Sequence, residues 1–294
     1  MSKKKSISYS QFSQWDKCPW MWKLSYVDRL SEFTDNIHTL FGTSMHEVLQ
    51  EYLRVMYTKS IKEADQLYLD EMLEDRLKTN FLEIVKENGG IEFCTKDQMV
   101  EFYADGVKII DFFKKKRNQY FSKRGYELLG IETELDYGMD KNIKFRGFID
   151  LIIKDTVRNR IKIIDIKTAT HGWNKYQKAD KNKTDQLLLY KQFYSKQFDV
   201  PLDRIEVEYF IVKRKLWENT DFPQKRIQTF SPANGKPSIN KVNLRLKNFI
   251  DDCFTDDGEY RIDHTYNKLP SKKNCRWCDF KDKPELCDKN GVKV

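Results

Sequence analysis

The spacing of apolar residues changes part-way along the chain. Near residue 40 a stripe begins with Met45, Val48, Leu49, Tyr52, Leu53 and Met56, three to four apart, which predicts a long helix. Two more helices are expected over 60–87 and 96–121, with Asn88-Gly89-Gly90 as the break between them. Ahead of them lies a short basic tail over 1–7. A short helix capped by Ser10 is then expected to stop at Cys18-Pro19, followed by a core-forming cluster of Trp20, Met21, Trp22 and Tyr26. After residue 121 the period shortens to two. Strands are expected over 126–137, 143–154 and 160–168, joined by turns over 138–142 and 155–159, as an antiparallel meander. A lysine-rich polar loop over 171–183 leads into a helix from 186 capped by Thr184 or Asp185. A strand over 205–213 and a helix over 238–254 follow. The order predicts an α/β fold: a mixed central sheet flanked by helices, with a helical N-terminal region.

Two of the predicted strands carry charges where a core is expected. Gly147-Phe148-Ile149-Asp150 and Ile163-Ile164-Asp165-Ile166-Lys167 set two carboxylates and a lysine among isoleucines. Burying such groups is costly unless they are paired or bind a metal. On a strand Asp165 and Lys167 share one face while Ile164 and Ile166 share the other. If the strands are neighbours, Asp150 meets Asp165, and two hard oxygen ligands with an ammonium suit Mg²⁺ or Mn²⁺ and a phosphate. His46 sits beside the apolar stripe one turn after Gly42; taken alone, it reads as an ordinary packed or surface histidine. Glu132 and Glu134 read as a polar strand face or as further metal ligands, and the basic run Lys114-Lys115-Lys116-Arg117 as a solvated helix end, with phosphate contact the lesser reading.

Composition narrows the class. The 294 residues are 39% hydrophobic and 33% charged, which fits a folded chain and not a disordered one. No apolar run approaches the roughly 20 residues that span a bilayer. Met1-Ser2-Lys3-Lys4-Lys5 is followed by no apolar signal region, so a cytoplasmic location is expected. The net charge of +8 is compatible with a polyanionic partner such as DNA.

Three of the six cysteines crowd the C-terminal end as Cys275-x2-Cys278-x8-Cys287. Disulfides are not expected in a cytosolic chain, so the spacing points to a metal or cluster site. Such a site wants four thiolates, and Cys18 is the best fourth. It would tie the segment 8–30 to the segment 270–290. Spacing alone leaves structural Zn²⁺ and an iron–sulfur cluster both open.

In order, Cys18, Gly42-x3-His46, Gly147-x2-Asp150, Asp165-Ile166-Lys167, Gln186-x3-Tyr190 and the C-terminal cysteines resemble the PD-(D/E)XK nuclease superfamily. More narrowly, the set is similar to its iron–sulfur RecB-like exonucleases, which include the CRISPR adaptation nuclease and the AddB nuclease domain. The resemblance runs from residue 8 to 287. It departs from the name-giving motif in having Ile149 before Asp150, and Asp165 where many members have Glu. It implies a single nuclease domain over 1–294 with a restriction-endonuclease-like sheet: a helical region over 38–121 and a catalytic core over 126–215. It also implies that His46, Asp150, Asp165 and the Ile166 carbonyl hold Mg²⁺ or Mn²⁺, and that Lys167 handles the attacking water and phosphate. Gln186 and Tyr190 would position the site or the DNA, and Cys18, Cys275, Cys278 and Cys287 would hold a 4Fe–4S cluster.

The expected function is a metal-dependent DNA exonuclease acting on ends or single strands in recombination, repair or CRISPR adaptation, with a helicase or another recombination or CRISPR protein as partner. The competing expectation is a non-catalytic, cluster-stabilised nucleic-acid-binding subunit of a larger complex. The lysines of 171–183, with Arg214 and Lys215, are expected at the DNA backbone, and Trp173 or Trp217 against a base.

Overall fold

The structure is a computed structural model that describes residues 5–31 and 35–288. Residues 1–4 of the basic tail and 289–290 of the C-terminal cluster segment lie outside the described residues. The sheet is built from β1 (Lys5–Ile7), β2 (Tyr126–Gly138), β3 (Ile143–Asp155), β4 (Arg160–Ala169), β5 (Ile205–Lys213) and β6 (Ile227–Phe230). β2, β3 and β4 form the antiparallel meander, β4 and β5 run parallel, and β6 returns antiparallel.

The central strand β3 is shared unevenly. β2 pairs with it from Lys144 to Asp155 and so occupies one whole edge. The other edge is divided: β1 takes Ile143 to Phe145, and β4 takes Leu151 to Asp155. Between them, at 146–150, no strand is paired on that side. β4 leaves β3 after Ile164 and continues along β5 as far as Ala169. The sheet therefore forks beside Asp150.

Two helical layers cover the sheet. On one face lie α3 (Ile37–Thr58), α4 (Ile61–Asp65), α5 (Leu69–Glu87) and α6 (Lys96–Tyr120). They pack on Leu151, Ile153, Ile164 and Ile166. On the other lie α1 (Tyr9–Lys17), α8 (Lys181–Gln197) and α9 (Lys236–Cys253), over Ile149, Ile152 and Ile163. Both faces of β3 and β4 are buried over 151–153 and 163–166, where Asp165 is the one polar residue in the apolar run. Short helices α2 (Pro19–Trp22), α7 (Lys175–Ala179) and α10 (Lys272–Cys275) complete the chain. α2 continues into a wide turn over Lys23–Val27.

Several local expectations need correction. The cap of α1 is Ser8, whose hydroxyl accepts from the Gln11 N–H, and not Ser10. Part of the basic tail is β1. The helix expected over 60–87 is two helices. The polar loop over 171–183 contains α7, and α8 starts earlier than expected, capped by Asp180 instead of Thr184 or Asp185. Lys114 and Arg117 are not simply solvated: they hold the Asp65 carbonyl and carboxylate, tying α6 to α4. The strand β6 has no counterpart in the sequence reading.

Candidate active site

The fork in the sheet collects the charged groups. Where β4 turns away from β3, the Ile166 N–H loses its strand partner and donates to Asp150 Oδ2 at 2.6 Å. Asp150 is thus held by the backbone between Asp165 and Lys167. One residue to either side, Lys167 Nζ lies 2.7 Å from Asp165 Oδ2, on the face away from Ile164 and Ile166. Asp165 is buried at 1% exposure, and this ion pair is the polar contact of Oδ2, which has no aligned hydrogen bond. From α3, His46 brings Nδ1 to 3.7 Å from Asp150 Oδ2.

Burial dominates the electrostatics. It pushes both Asp150 and Asp165 up to about 6, with Lys167 pulling each back down. Lys167 is held above its ordinary value: burial opposes its charge, but Asp165 and Asp150 together outweigh that cost. His46 is pushed below its ordinary value, first by burial and then by Lys167, so it is neutral at neutral pH. The two carboxylates are hard oxygen donors suited to Mg²⁺ or Mn²⁺, and the neutral imidazole beside them is a borderline nitrogen donor. Among the described residues, no three His, Cys, Asp or Glu side chains stand close enough to hold an ion without rearranging. Here the Lys167 ammonium takes up part of the negative charge.

From α8, Tyr190 reaches the same place. Its ring lies against Gly147, where a Cβ would come within 2.9 Å of Tyr190 Cε1. Its hydroxyl accepts from Gln186 Nε2 at 2.9 Å and feels Asp165, Lys167 and Asp150. On the opposite side Gly42 lets α3 approach β4, since a Cβ there would lie 3.3 Å from Thr168 Oγ1.

A sequence model described as the PD-(D/E)XK nuclease superfamily matches residues 6–283. The chain belongs to the PD-(D/E)XK nuclease superfamily. Its fold is shared with a crystal structure from Eubacterium rectale described as a "putative exonuclease", at a TM-score of 0.50 and 11% identity. That likeness covers 94% of this chain and 87% of the other. No curated protein matches the sequence.

Within this nuclease fold, all the residues expected at the centre do converge: His46, Asp150, Asp165, Ile166, Lys167 and Tyr190, with Gln186 joined through the tyrosine. Glu132 joins them. Ile131 pairs with Leu151 and Thr133 with Ile149, so Glu132 lies across from Asp150. Its φ of +49° is left-handed, in the middle of a strand. Gln50, one turn after His46 on α3, donates to Glu132 Oε1 at 2.5 Å, and the Glu132 charge reaches both His46 and Asp150. The period-two pattern leaves Glu132 between a polar strand face and ligation; the bend and the long-range register bring it to the site.

The cysteine expectation also has a place in the fold. Cys18, Cys275, Cys278 and Cys287 line one pocket with Trp20, Leu24 and Phe280. Burial pushes the Cys278 thiol up to about 11, and the other three thiols add to the effect. The Leu269 N–H points at Cys18 Sγ from 3.4 Å. Cys94 and Cys253 are buried elsewhere, in the two hydrophobic cores. Arg214 and Lys215, expected at DNA phosphates, are instead ion-paired with Glu101 and Asp105 of α6. No helix among the described residues is long and apolar enough to cross a membrane.

Proposed function

We propose that the chain is a divalent-metal-dependent DNA nuclease of the exonuclease kind, working on ends or single strands in recombination, repair or CRISPR adaptation. The observation that carries this reading is the buried pair Asp150 and Asp165, with Lys167 2.7 Å from Asp165 and His46 alongside. Two acids left partly uncompensated in a core are destabilising in themselves, and a bound cation accounts for them. His46, Asp150 and Asp165 would hold it, with the Ile166 carbonyl on the same turn of chain. When bound, Mg²⁺ or Mn²⁺ supplies a more acidic water and charge neutralisation at the phosphate. Lys167 offers its ammonium to the phosphate oxygens as negative charge builds there. Tyr190, fixed by Gln186 and Gly147, shapes the floor, and Glu132 adds a further acid. The fold shared with the E. rectale "putative exonuclease" supports the exonuclease side of the reading.

The four cysteines hold a 4Fe–4S cluster with a structural role in this reading. Four thiols from both ends of the chain facing one apolar pocket support it. A brown protein absorbing near ~400 nm is the expected sign; a colourless, zinc-loaded protein from anaerobic preparation decides for zinc instead.

The nuclease test is cleavage of end-labelled single- and double-stranded DNA with Mn²⁺, comparing wild type with Asp165→Ala and Lys167→Ala. Release of mononucleotides from one end by wild type alone is expected. Equal, negligible cutting by all three proteins sinks the enzyme reading.

A further inference from the structure

β4 does not end at Lys167. Thr168 and Ala169 carry it into a cleft of about 670 Å³ between the α3/α6 layer and the loop that follows β4. The volume is that of a small-molecule site, of about 300–1,000 Å³, and so has room for a nucleotide or two. Its walls are aromatic: Phe41 and Phe102 on one side, Trp173, His171 and Trp217 on the other. Trp217 is 61% exposed, and its inner face lies parallel on the His171 ring, 3.9 Å between centroids and 10° between planes.

This wall is built. Gly172 turns at a φ of +87°, where Lys213 and Gln228 would meet any added side chain. Gln228 of β6 then clamps the Trp173 backbone twice, accepting from its N–H at 2.7 Å and donating to its carbonyl at 3.1 Å. Gln224 clamps the Trp217 backbone in the same way, at 2.8 and 2.7 Å. The exposed indole of Trp217 thus stacks on an imidazole, on a backbone that Gln224 fixes at both its N–H and its carbonyl.

The charge around the cleft is positive. Lys183, in the wall, stands over the Trp173 ring and is repelled by Lys17 and Lys167. Lys213, against Gly172, is repelled by Lys178. Asp180 offsets Lys183 in part, and Arg214 is already matched by Glu101 and Asp105. An anionic chain entering here meets surplus lysines at the side and aromatic faces at the base.

We propose that this cleft binds the unpaired terminal nucleotides of the strand being cut, stacking a base on Trp217, and thereby selects single-stranded DNA ends. The inference rests on the nuclease reading of Asp150, Asp165 and Lys167. Base–aromatic stacking needs an open base face, which a duplex does not offer. Thr168 and Ala169, which line the cleft, follow Lys167 directly on β4, so the cleft and the cutting centre are neighbours along that strand.

The test is binding of a fluorescein-labelled oligo-dT and of a blunt duplex to the full chain in EDTA, which prevents cutting. Trp217→Ala is expected to weaken single-strand binding five-fold or more, Trp217→Phe to restore most of it, and duplex binding to move less than two-fold. A single-strand loss under five-fold, or an equal loss on the duplex, overturns the proposal. So does a wild type that binds no oligo-dT. Cleavage is read separately: Trp217-dependent binding by a protein that cuts nothing sinks the nuclease reading and leaves the cleft standing.

Discussion

Lys167 Nζ and Asp165 Oδ2 lie 2.7 Å apart on one face of β4, two residues from each other: the Asp165 side chain is sealed in at 1% exposure while that of Lys167 keeps 33%. The lysine therefore serves two partners, the buried acid behind it and whatever enters in front. Its positive charge pulls both Asp150 and Asp165 down. Lys167→Ala is expected to lower kcat by about 10²–10⁴-fold, with KM for DNA little changed. Without the ammonium both acids titrate higher, so the acidic limb of the pH–rate profile moves to higher pH. Residual activity measured across pH with Mn²⁺ checks both points. An unmoved limb means that these acids do not set it. Lys167→Arg is not expected to rescue, because a planar guanidinium does not fit where a compact ammonium sits.

The acids themselves make stability depend on pH in a direction opposite to the usual one. Asp150 and Asp165 sit at about 6 in the fold against an ordinary value of 3.8. Each native carboxyl thus binds its proton more tightly than the unfolded one. Stability is greatest below about pH 4 as far as these groups are concerned, and it falls as pH rises toward 6. The cost at neutral pH is at most on the order of 3 kcal/mol per group. Asp150→Asn keeps an acceptor for the Ile166 N–H but removes a charge. In EDTA at pH 8 it is expected to be more stable than wild type by roughly 1–3 kcal/mol, and no more stable at pH 4. Saturating Mn²⁺ should close the gap by binding wild type only. Urea melts at the two pH values measure this, and coincident curves at pH 8 would contradict it.

Gly147 and Tyr190 form a second dependent pair. A Cβ at 147 would come within 2.9 Å of the tyrosine ring, and the ring cannot retreat because Gln186 holds its hydroxyl. Gly147→Ala is expected to cost about 1–3 kcal/mol through overpacking. In a Tyr190→Ala background the same change should cost much less, a coupling of at least about 1 kcal/mol. Tyr190→Phe should cost only about 1 kcal/mol, since it loses one hydrogen bond and no packing. Additive losses in the double mutant would show that the contact is not the cause.

What the sequence discloses follows from how local each signal is. The acids of β3 and β4 stand out because charge inside an apolar run is anomalous at short range. The stripe on α3 is a periodicity over six positions and needs no partner to be seen. β1 and β6 are different: three and four residues carry no period, and only their neighbours on the sheet make them strands. Ser10 has the right chemistry for a cap, but serine type alone does not fix the helix start, and the Gln11 N–H goes to Ser8. Glu132 is the instructive case. Its sequence context is an ordinary alternating strand, and its place near His46 comes from a backbone bend and a partner on α3.

Two of the contacts that join the ends of the chain, an aromatic cluster and the cysteine pocket, should separate experimentally. Trp22 is fully buried against Phe249, Phe254, Tyr260 and Tyr266, with ring centroids 5.4 to 6.2 Å away. Cys18, four residues earlier, faces the C-terminal cysteines in the pocket beside it. Trp22→Ala removes a large core ring and is expected to cost about 3–5 kcal/mol whether or not the cysteines hold metal. Trp22→Phe should cost far less, because the indole N–H has no hydrogen-bond partner to lose. Cys18→Ser leaves that aromatic joint intact. It is expected to abolish iron binding and to lower Tm to the value of chelator-stripped wild type, because metal affinity at such a site is folding free energy. Chelation should then lower Tm in wild type and leave Cys18→Ser unmoved. Metal analysis and thermal melts on the three variants decide the matter: a chelator effect that survives in Cys18→Ser would exclude Cys18 as a ligand.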